Sequence, residues 1–294
     1  MTTSPDSSPL ALVPRLTRAS APLTQEVAVL DEFGATRHIS IPAERALTVF
    51  VDRRELVTLM TLGASPELLV LGYLRNQRLV EGVEQIESIT VDWEVQAAAV
   101  KTRAGIARFE EKTAKRVVTT GCGQGTVFGD MMSDLASITL PPAHEPTARL
   151  AQSALYGLLD AMRLQESTYK SAGSVHGCAL FRQDELLTFV EDVGRHNAID
   201  TIAGWMWMNG VGGGDKIFYT TGRLTSEMVI KSAQMGVPII VSRSGITQMG
   251  HELATRLGLA LFGRAMNRHF ICYSGFARFD MQPEPARESP LRSR

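Results

Sequence analysis

Lys216-Ile-Phe-Tyr-Thr-Thr-Gly-Arg-Leu-Thr-Ser-Glu-Met-Val-Ile-Lys-Ser-Ala-Gln-Met-Gly-Val-Pro-Ile-Ile-Val-Ser242 is the stretch whose reading decides the fold. Lys216–Thr220 and Val237–Val241 are short runs dense in β-branched and aromatic side chains, which suits buried strands. Ser226–Met235 between them reads as a helix. The same alternation continues on both sides. Upstream come a strand over Leu186–Glu191 and a helix over Asn197–Asn209. Downstream come a helix over Gln248–Leu257 and a strand over Leu259–Phe262. Short apolar runs alternating with helical runs predict an α/β domain, a parallel sheet covered by helices, over residues 147–278.

Before this domain the pattern is different. Ala46–Val51 is a β-rich run that turns at Asp52-Arg53-Arg54-Glu55 and resumes at Leu56-Val57, as a hairpin does. Pro66 opens a helix whose apolar side is Leu68, Leu69, Leu71, Gly72 and Leu74. Ile86–Val91 and Trp93–Val100 read as strands. Residues 25–140 are therefore expected to form a smaller α+β part. Pro141-Pro142 and His144-Glu145-Pro146 mark a bend, and a helix is expected from about Thr147 to Gln165. Residues 1–24 and 281–294, rich in Ser, Thr, Pro and charge, read as disordered tails.

Composition excludes several classes. A chain of 294 residues that is 44% hydrophobic can bury a large core. With a net charge of −1, no global field draws it to nucleic acid or membrane. No stretch reaches the ~20 apolar residues of a membrane span. Cys122, Cys178 and Cys272 give no even disulfide framework, so a cytoplasmic protein with reduced thiols is expected.

Ligands of α/β sheets bind beyond the carboxyl ends of the strands. Here those ends read Glu191-Asp192-Val193-Gly194-Arg195-His196-Asn197, Thr221-Gly222-Arg223-Leu224-Thr225-Ser226-Glu227, Ser242-Arg243-Ser244-Gly245 and Gly263-Arg264-Ala265-Met266-Asn267-Arg268-His269. Each carries an arginine, and two lead straight into a helix N-terminus. Guanidinium forks and helix N–H groups hold phosphate, so Arg223 and Arg243 point to an anionic ligand with several phosphates. The alternative is a row of solvated arginines capping a sheet edge. His196, at a strand-to-helix turn, is the best placed histidine, as a base or a phosphate contact. His176 opens an apolar strand, and His38, His144 and His251 read as solvated or structural. Cys178 and Cys272 lie in apolar runs and read as core.

Thr119-Thr120-Gly121-Cys122-Gly123-Gln124-Gly125-Thr126 sets the remaining thiol on a glycine-rich turn, reachable by a partner or a large substrate. Lys112, Lys115 and Arg116 stand close by in sequence, as groups able to lower its pKa. A zinc site fails on paper. His176-Gly177-Cys178 stands where a zinc deaminase has His-x-Glu, the general-base glutamate is missing, and no Pro-Cys-x-x-Cys occurs.

Taken in order, Gly173–Leu180, Glu191–Asp200, Thr221–Met228 with Lys231, and Gly236–Ser244 resemble the FdhD/NarQ family, the formate dehydrogenase accessory sulfurtransferases. The resemblance covers roughly residues 25–275. It implies a cytidine-deaminase-like three-layer α/β domain without zinc, plus a smaller N-terminal α+β part. It implies a sulfur carrier that takes persulfide sulfur from a cysteine desulfurase on Cys122 and passes it to the bis-guanine-dinucleotide molybdenum cofactor, destined for formate dehydrogenase. That cofactor would be bound as substrate rather than held permanently. The family's cofactor loop maps onto Phe262, Gly263, Arg264, Ala265, Met266, Asn267, Arg268 and His269, and a homodimer is implied. Two departures stand out. The family has Cys-Gly-x-Cys-Gly where this chain has Cys122-Gly123-Gln124-Gly125-Thr126, and Gly-Phe-x-Arg where it has Leu261-Phe262-Gly263-Arg264. The lost second cysteine keeps open an alternative, a cofactor-binding chaperone with no chemistry at Cys122.

Overall fold

A computed structural model of the chain describes residues 12–107, 109–110 and 137–282. The Cys122 turn, with Lys112, Lys115 and Arg116, lies outside the described residues.

The N-terminal unit is a five-stranded sheet in the order β1-β6-β7-β4-β5. Its strands are β1 (Arg15–Leu16), β4 (Arg45–Val51), β5 (Arg54–Thr61), β6 (Ile86–Asp92) and β7 (Ala97–Thr102). Strands β2 (Thr24–Leu30) and β3 (Thr36–Pro42) form a separate antiparallel ribbon. The predicted hairpin is present. Asp52 and Arg53 both take positive φ, +46° and +71°, which matches the twist of a tight β4–β5 turn. The helix opened by Pro66 is α1 (Pro66–Asn76), which lays Leu69, Val70, Tyr73 and Leu74 on the sheet.

Residues 12–24 are not a free tail. Arg15–Leu16 pair with β6, Thr17 Oγ1 and the Ala19 amide donate to the Glu67 carboxylate, and the Trp93 indole N–H donates to Ala19 O. One buried carboxylate and one indole thus fix a segment that composition alone reads as mobile. Similarly, Gln282 exchanges backbone–side-chain hydrogen bonds with Gln152 and Ser153.

The second unit has three layers. Its six-stranded sheet, in the order β10-β9-β11-β12-β13-β14, comprises β9 (His176–Arg182), β10 (Glu185–Asp192), β11 (Ile217–Thr220), β12 (Ile239–Ser242), β13 (Ala260–Met266) and β14 (His269–Ser274). Period-2 alternation sends Phe218, Ile240 and Leu261 to one face and Ile217, Tyr219, Ile239, Val241 and Phe262 to the other. The helices α2 (Gln152–Leu164), α3 (Thr168–Ala172), α4 (Arg195–Met208), α5 (Ser226–Gln234) and α6 (Gln248–Leu257) follow in chain order. α4, α5 and α6 cover the first face, and α2 covers the second. The predicted helix near 147–165 starts later than expected, because Leu150–Ala151 (β8) pairs with Phe279–Asp280 (β15).

The sheet is mixed rather than wholly parallel. β11, β12 and β13 run parallel, while β9 and β14 run against them. The reason is connection length. Gln183-Asp184 between β9 and β10, and Asn267-Arg268 between β13 and β14, are too short for a crossover and can only close hairpins. β10 is antiparallel to β9, so its carboxyl end still falls on the same edge as those of β11, β12 and β13.

α4 joins the two units. Residues 195–204 are buried without a break, between the sheet on one side and α1 on the other. The α1–α4 crossing is made by glycine. A Cβ on Gly72 would stand 1.6 Å from Asp200 O, and one on Gly204 would stand 2.0 Å from Leu68 O. Polar groups lock the crossing. Asn76 Nδ2 donates to Asp200 Oδ1 at 2.7 Å, and Lys231 Nζ donates to both Asp200 oxygens at 2.7 and 2.8 Å. Asp200 is 0% and Lys231 1% exposed, so each compensates a charge that water cannot reach. Asp192 extends the seam, accepting from Thr61 Oγ1, Leu62 N and Asn197 Nδ2.

Two predictions follow from this joint. Gly72→Ala forces the helices apart and is expected to lower the unfolding free energy by about 3 kcal/mol. Lys231→Met leaves Asp200 uncompensated and is expected to cost about 3–5 kcal/mol. Urea unfolding followed by circular dichroism reads both, and losses below about 1 kcal/mol would contradict the packing described.

Candidate functional site at the strand ends

Hydroxyl groups shape the edge where β10, β11, β12 and β13 end. Thr220, the last residue of β11, accepts from Gly222 N at its Oγ1. Ser242, the last residue of β12, accepts from Ser244 N and donates to Gly222 O. Each turn is therefore closed by the hydroxyl at the strand's end, and each places an arginine at its tip. Backbone bonds then lace neighbouring turns together: Thr221 N to Gly177 O, Arg243 N to Thr220 O, and Arg264 N to Ser244 O. Arg223, Arg243 and Arg264 are carried outward on this fixed edge, and all three are exposed. None makes an ion pair or side-chain hydrogen bond among the described residues, whereas Arg15, Arg149 and Arg182 elsewhere each hold a carboxylate.

Gly263–His269 is not an open loop beyond the last strand. β13 continues through it to Met266, turns at Asn267-Arg268, and returns as β14 from His269. A Cβ on Gly263 would meet the Tyr273 ring at 2.8 Å and Ser244 O at 3.1 Å, so the bulged strand can lie this close only with glycine there. Phe262, expected at the cofactor, is 0% exposed and packs edge-on against Phe270 and Phe279. Ala265 is buried too. Met266, Asn267, Arg268 and His269 are exposed, and the Arg268 guanidinium lies over the Tyr156 ring at 4.6 Å.

The hairpin and the β12 turn enclose a cavity of 190 Å³ lined by Tyr219, Arg243, Ala265, Met266, Asn267 and, from α2, Arg163. Arg243, Ala265, Met266 and Asn267 thus line one cavity. Tyr219 and the α2 side chains were not identified from sequence, because nothing local marks a helix face that closes a cavity from across the sheet.

His196 and Arg195 sit deeper. They open α4, and their side chains are buried, His196 at 2% exposure and Arg195 at 5%. Burial, with the positive charges of Lys231, Arg195 and His176 around it, pushes the imidazole down to about 2. His196 is therefore neutral at physiological pH, and any ligand contact it makes is that of an uncharged ring. His176, half-buried at the start of β9, is also held below its usual range by burial and by the Arg195 and Arg223 charges.

Burial, aided at Cys178 by the Asp192 charge, keeps two thiols protonated. Cys178, deep in the sheet beside Thr220 Oγ1, is pushed up to about 12, and Cys272 on β14 to about 11. Neither supplies a thiolate at neutral pH.

The architecture and the site can now be set beside known proteins. The FdhD/NarQ family model matches residues 42–280. The sulfur carrier protein FdhD of Listeria monocytogenes serotype 4b is 30% identical over 240 residues, covering 81% of this chain and 91% of that one. The sulfur carrier protein FdhD of Bacillus subtilis is 29% identical over 231 residues, covering 79% and 87%. A crystal structure from Desulfotalea psychrophila, described as a formate dehydrogenase accessory protein, superimposes with a TM-score of 0.69 at 23% identity. It covers 88% of this chain and 100% of that one, and so shares the fold. With the family model matched over most of its length, from the first sheet to the end of the second, the chain belongs to the FdhD/NarQ family.

Proposed function

We propose that this chain is a sulfur carrier in the maturation of formate dehydrogenase. In this reading it receives persulfide sulfur from a cysteine desulfurase on Cys122 and passes it to the bis-guanine-dinucleotide molybdenum cofactor, bound as substrate at the strand-end site. Its relatives' names support the sulfur-carrier and formate dehydrogenase parts. The observation that carries the cofactor part is the row of three exposed arginines, Arg223, Arg243 and Arg264, bound to no carboxylate among the described residues, beside a cavity that Arg243 lines. Arginine forks suit pyrophosphate, and the half-apolar cavity between α2 and the β13–β14 hairpin suits a base. Asn267 lines it, Arg268 and His269 follow on the exposed hairpin, and Phe262 and Gly263 act from beneath by holding the hairpin's shape. The mixed sheet with helices on both faces is the scaffold expected of a cytidine-deaminase-like domain. The same reading includes a homodimer working in the cytoplasm.

The carrier step is an exchange. The Cys122 thiolate attacks the outer sulfur of the donor persulfide, the new bond forms at Cys122, and the donor cysteine leaves as its thiolate. No second cysteine follows at position 125, so an internal disulfide cannot expel that sulfur afterwards. Its release as sulfide draws two electrons from an external thiol or from the acceptor. Gly125 also favours a second reading, a cofactor chaperone in which Cys122 takes no part.

In cells lacking their own FdhD-type protein, the wild-type chain is expected to restore formate dehydrogenase activity and Cys122→Ala to lose most of it. Full activity with Cys122→Ala would select the chaperone. Arg223→Ala and Arg243→Ala are each expected to weaken GDP binding about tenfold or more, since a charged hydrogen bond contributes roughly 1.5–3 kcal/mol. Unchanged calorimetric affinity in both variants would remove the ligand from this edge.

A further inference from the structure

The β2–β3 ribbon lies outside both sheets, and its tip is built to hold one side chain outward. At the turn, Asp31 Oδ1 accepts from Phe33 N and Ala35 N, and Gly34 N donates to Asp31 O. Gly34 takes a φ of +78°. A carboxylate and a left-handed glycine thus fix the turn, and they leave Phe33 87% exposed. Cross-strand partners share a face, so the pairs Gln25–Ile41, Val27–Ile39 and Val29–Arg37 set an apolar stripe on one side of the ribbon. α3 packs against β3, yet Ile39 and Ile41 on that stripe remain 40% and 39% exposed. A two-stranded ribbon is marginal in water by itself. Stripe and tip together are surface that a partner would cover.

The other end of the same ribbon carries a hole. A cavity of 460 Å³ opens there, lined by Gln25, Pro42, Ala43, Glu44, Arg45 and Trp93. Its wall is held in place, because Arg45 stands over the Trp93 ring at 5.4 Å and donates to Pro22 O. The volume is ample for a phenyl ring, and Trp93 with Pro42 and Ala43 gives it apolar sides. Tip and cavity are separated by the length of the strands, roughly 20 Å at about 3.4 Å per residue. Phe33 therefore cannot fill the cavity of its own chain. Two copies related by a two-fold axis, with their ribbons face to face and antiparallel, bring each tip to the other's base. Charge agrees with that arrangement. The tip carries exposed Glu32 and Arg37, the cavity carries Glu44 and Arg45, and Asp31 is occupied by its own turn. With the ends crossed over, each acid meets a base.

We propose that the β2–β3 ribbon is a contact between two copies of this chain, in which Phe33 of each enters the Trp93 cavity of the other. The stripe of Val27, Val29, Ile39 and Ile41 is buried between the ribbons, and Arg37 faces Glu44 across the axis. This deepens the homodimer of the proposed function and takes from it only that there are two copies; sulfur chemistry plays no part.

Sedimentation equilibrium of the full chain tests the contact, with wild type beside Phe33→Asp and Met249→Asp. Met249, on α6 in the second unit, is 47% exposed and serves as the control. Wild type is expected to be a dimer, Phe33→Asp to dissociate at least about tenfold more readily, and Met249→Asp to match wild type. Circular dichroism checks that both variants are folded, as substitutions at such exposed positions should be. Arg37→Glu is expected to weaken the dimer, and adding Glu44→Arg to restore it. The two positions lie at opposite ends of the ribbon, so that restoration can only arise between copies. A monomeric wild type overturns both the contact and the homodimer. A dimer that Phe33→Asp leaves unchanged, or that Met249→Asp weakens equally, overturns the contact and leaves the homodimer to another surface.

Discussion

The crossing of α1 over α4 is the contact on which the rest of the structure depends. Two backbones meet there with only hydrogen between them, at Gly72 and Gly204, and the buried Asp200–Lys231–Asn76 bonds fix their register. Close approach and buried charge reinforce each other. The glycines bring Asn76 within reach of Asp200, and the hydrogen-bonded ion pair offsets the cost of holding both charges away from water. Because α4 begins at Arg195, fixing its body also fixes the turn that leaves β10 and every polar group carried on that turn.

From that anchored helix the functional edge is built by short-range means. Four strands end on one side, and a hydroxyl at the end of β11 and β12 closes each following turn. Inter-turn backbone bonds continue the sheet's pairing past its formal ends. The outcome is a tiered edge. Exposed guanidinium groups stand above the buried starts of α4 and α5, and a cavity lies to one side between α2 and the β13–β14 hairpin. Phosphates suit the upper tier, where arginines remain hydrated until a ligand arrives.

Much of this was legible in the sequence, and the exceptions have physical causes. The helix over Gln248–Leu257 and the hairpin at Asp52-Arg53 were readable because periodicity and turn chemistry are local. The arginines were found because each follows a strand signal directly. The mixed topology was missed because a strand's direction depends on whether its connection can cross the sheet, not on its own residues. Residues 12–24 were misjudged because their order comes from Glu67 and Trp93, far away in sequence. Phe262 reads as a ligand contact in a motif, yet its ring completes the aromatic cluster under the hairpin. His196 reads as a titrating group until the fold buries it and sets Lys231 and Arg195 around it.

Under the proposed function, Cys122 carries sulfur although position 125 is glycine. Intact-protein mass spectrometry after incubation with a cysteine desulfurase and cysteine tests it directly, with wild type beside Cys122→Ser. A sulfur-carrying Cys122 gives a gain equal to one sulfur atom in wild type, reversed by reductant and absent from the variant. No gain beside an active desulfurase, or an equal gain in Cys122→Ser, would contradict it.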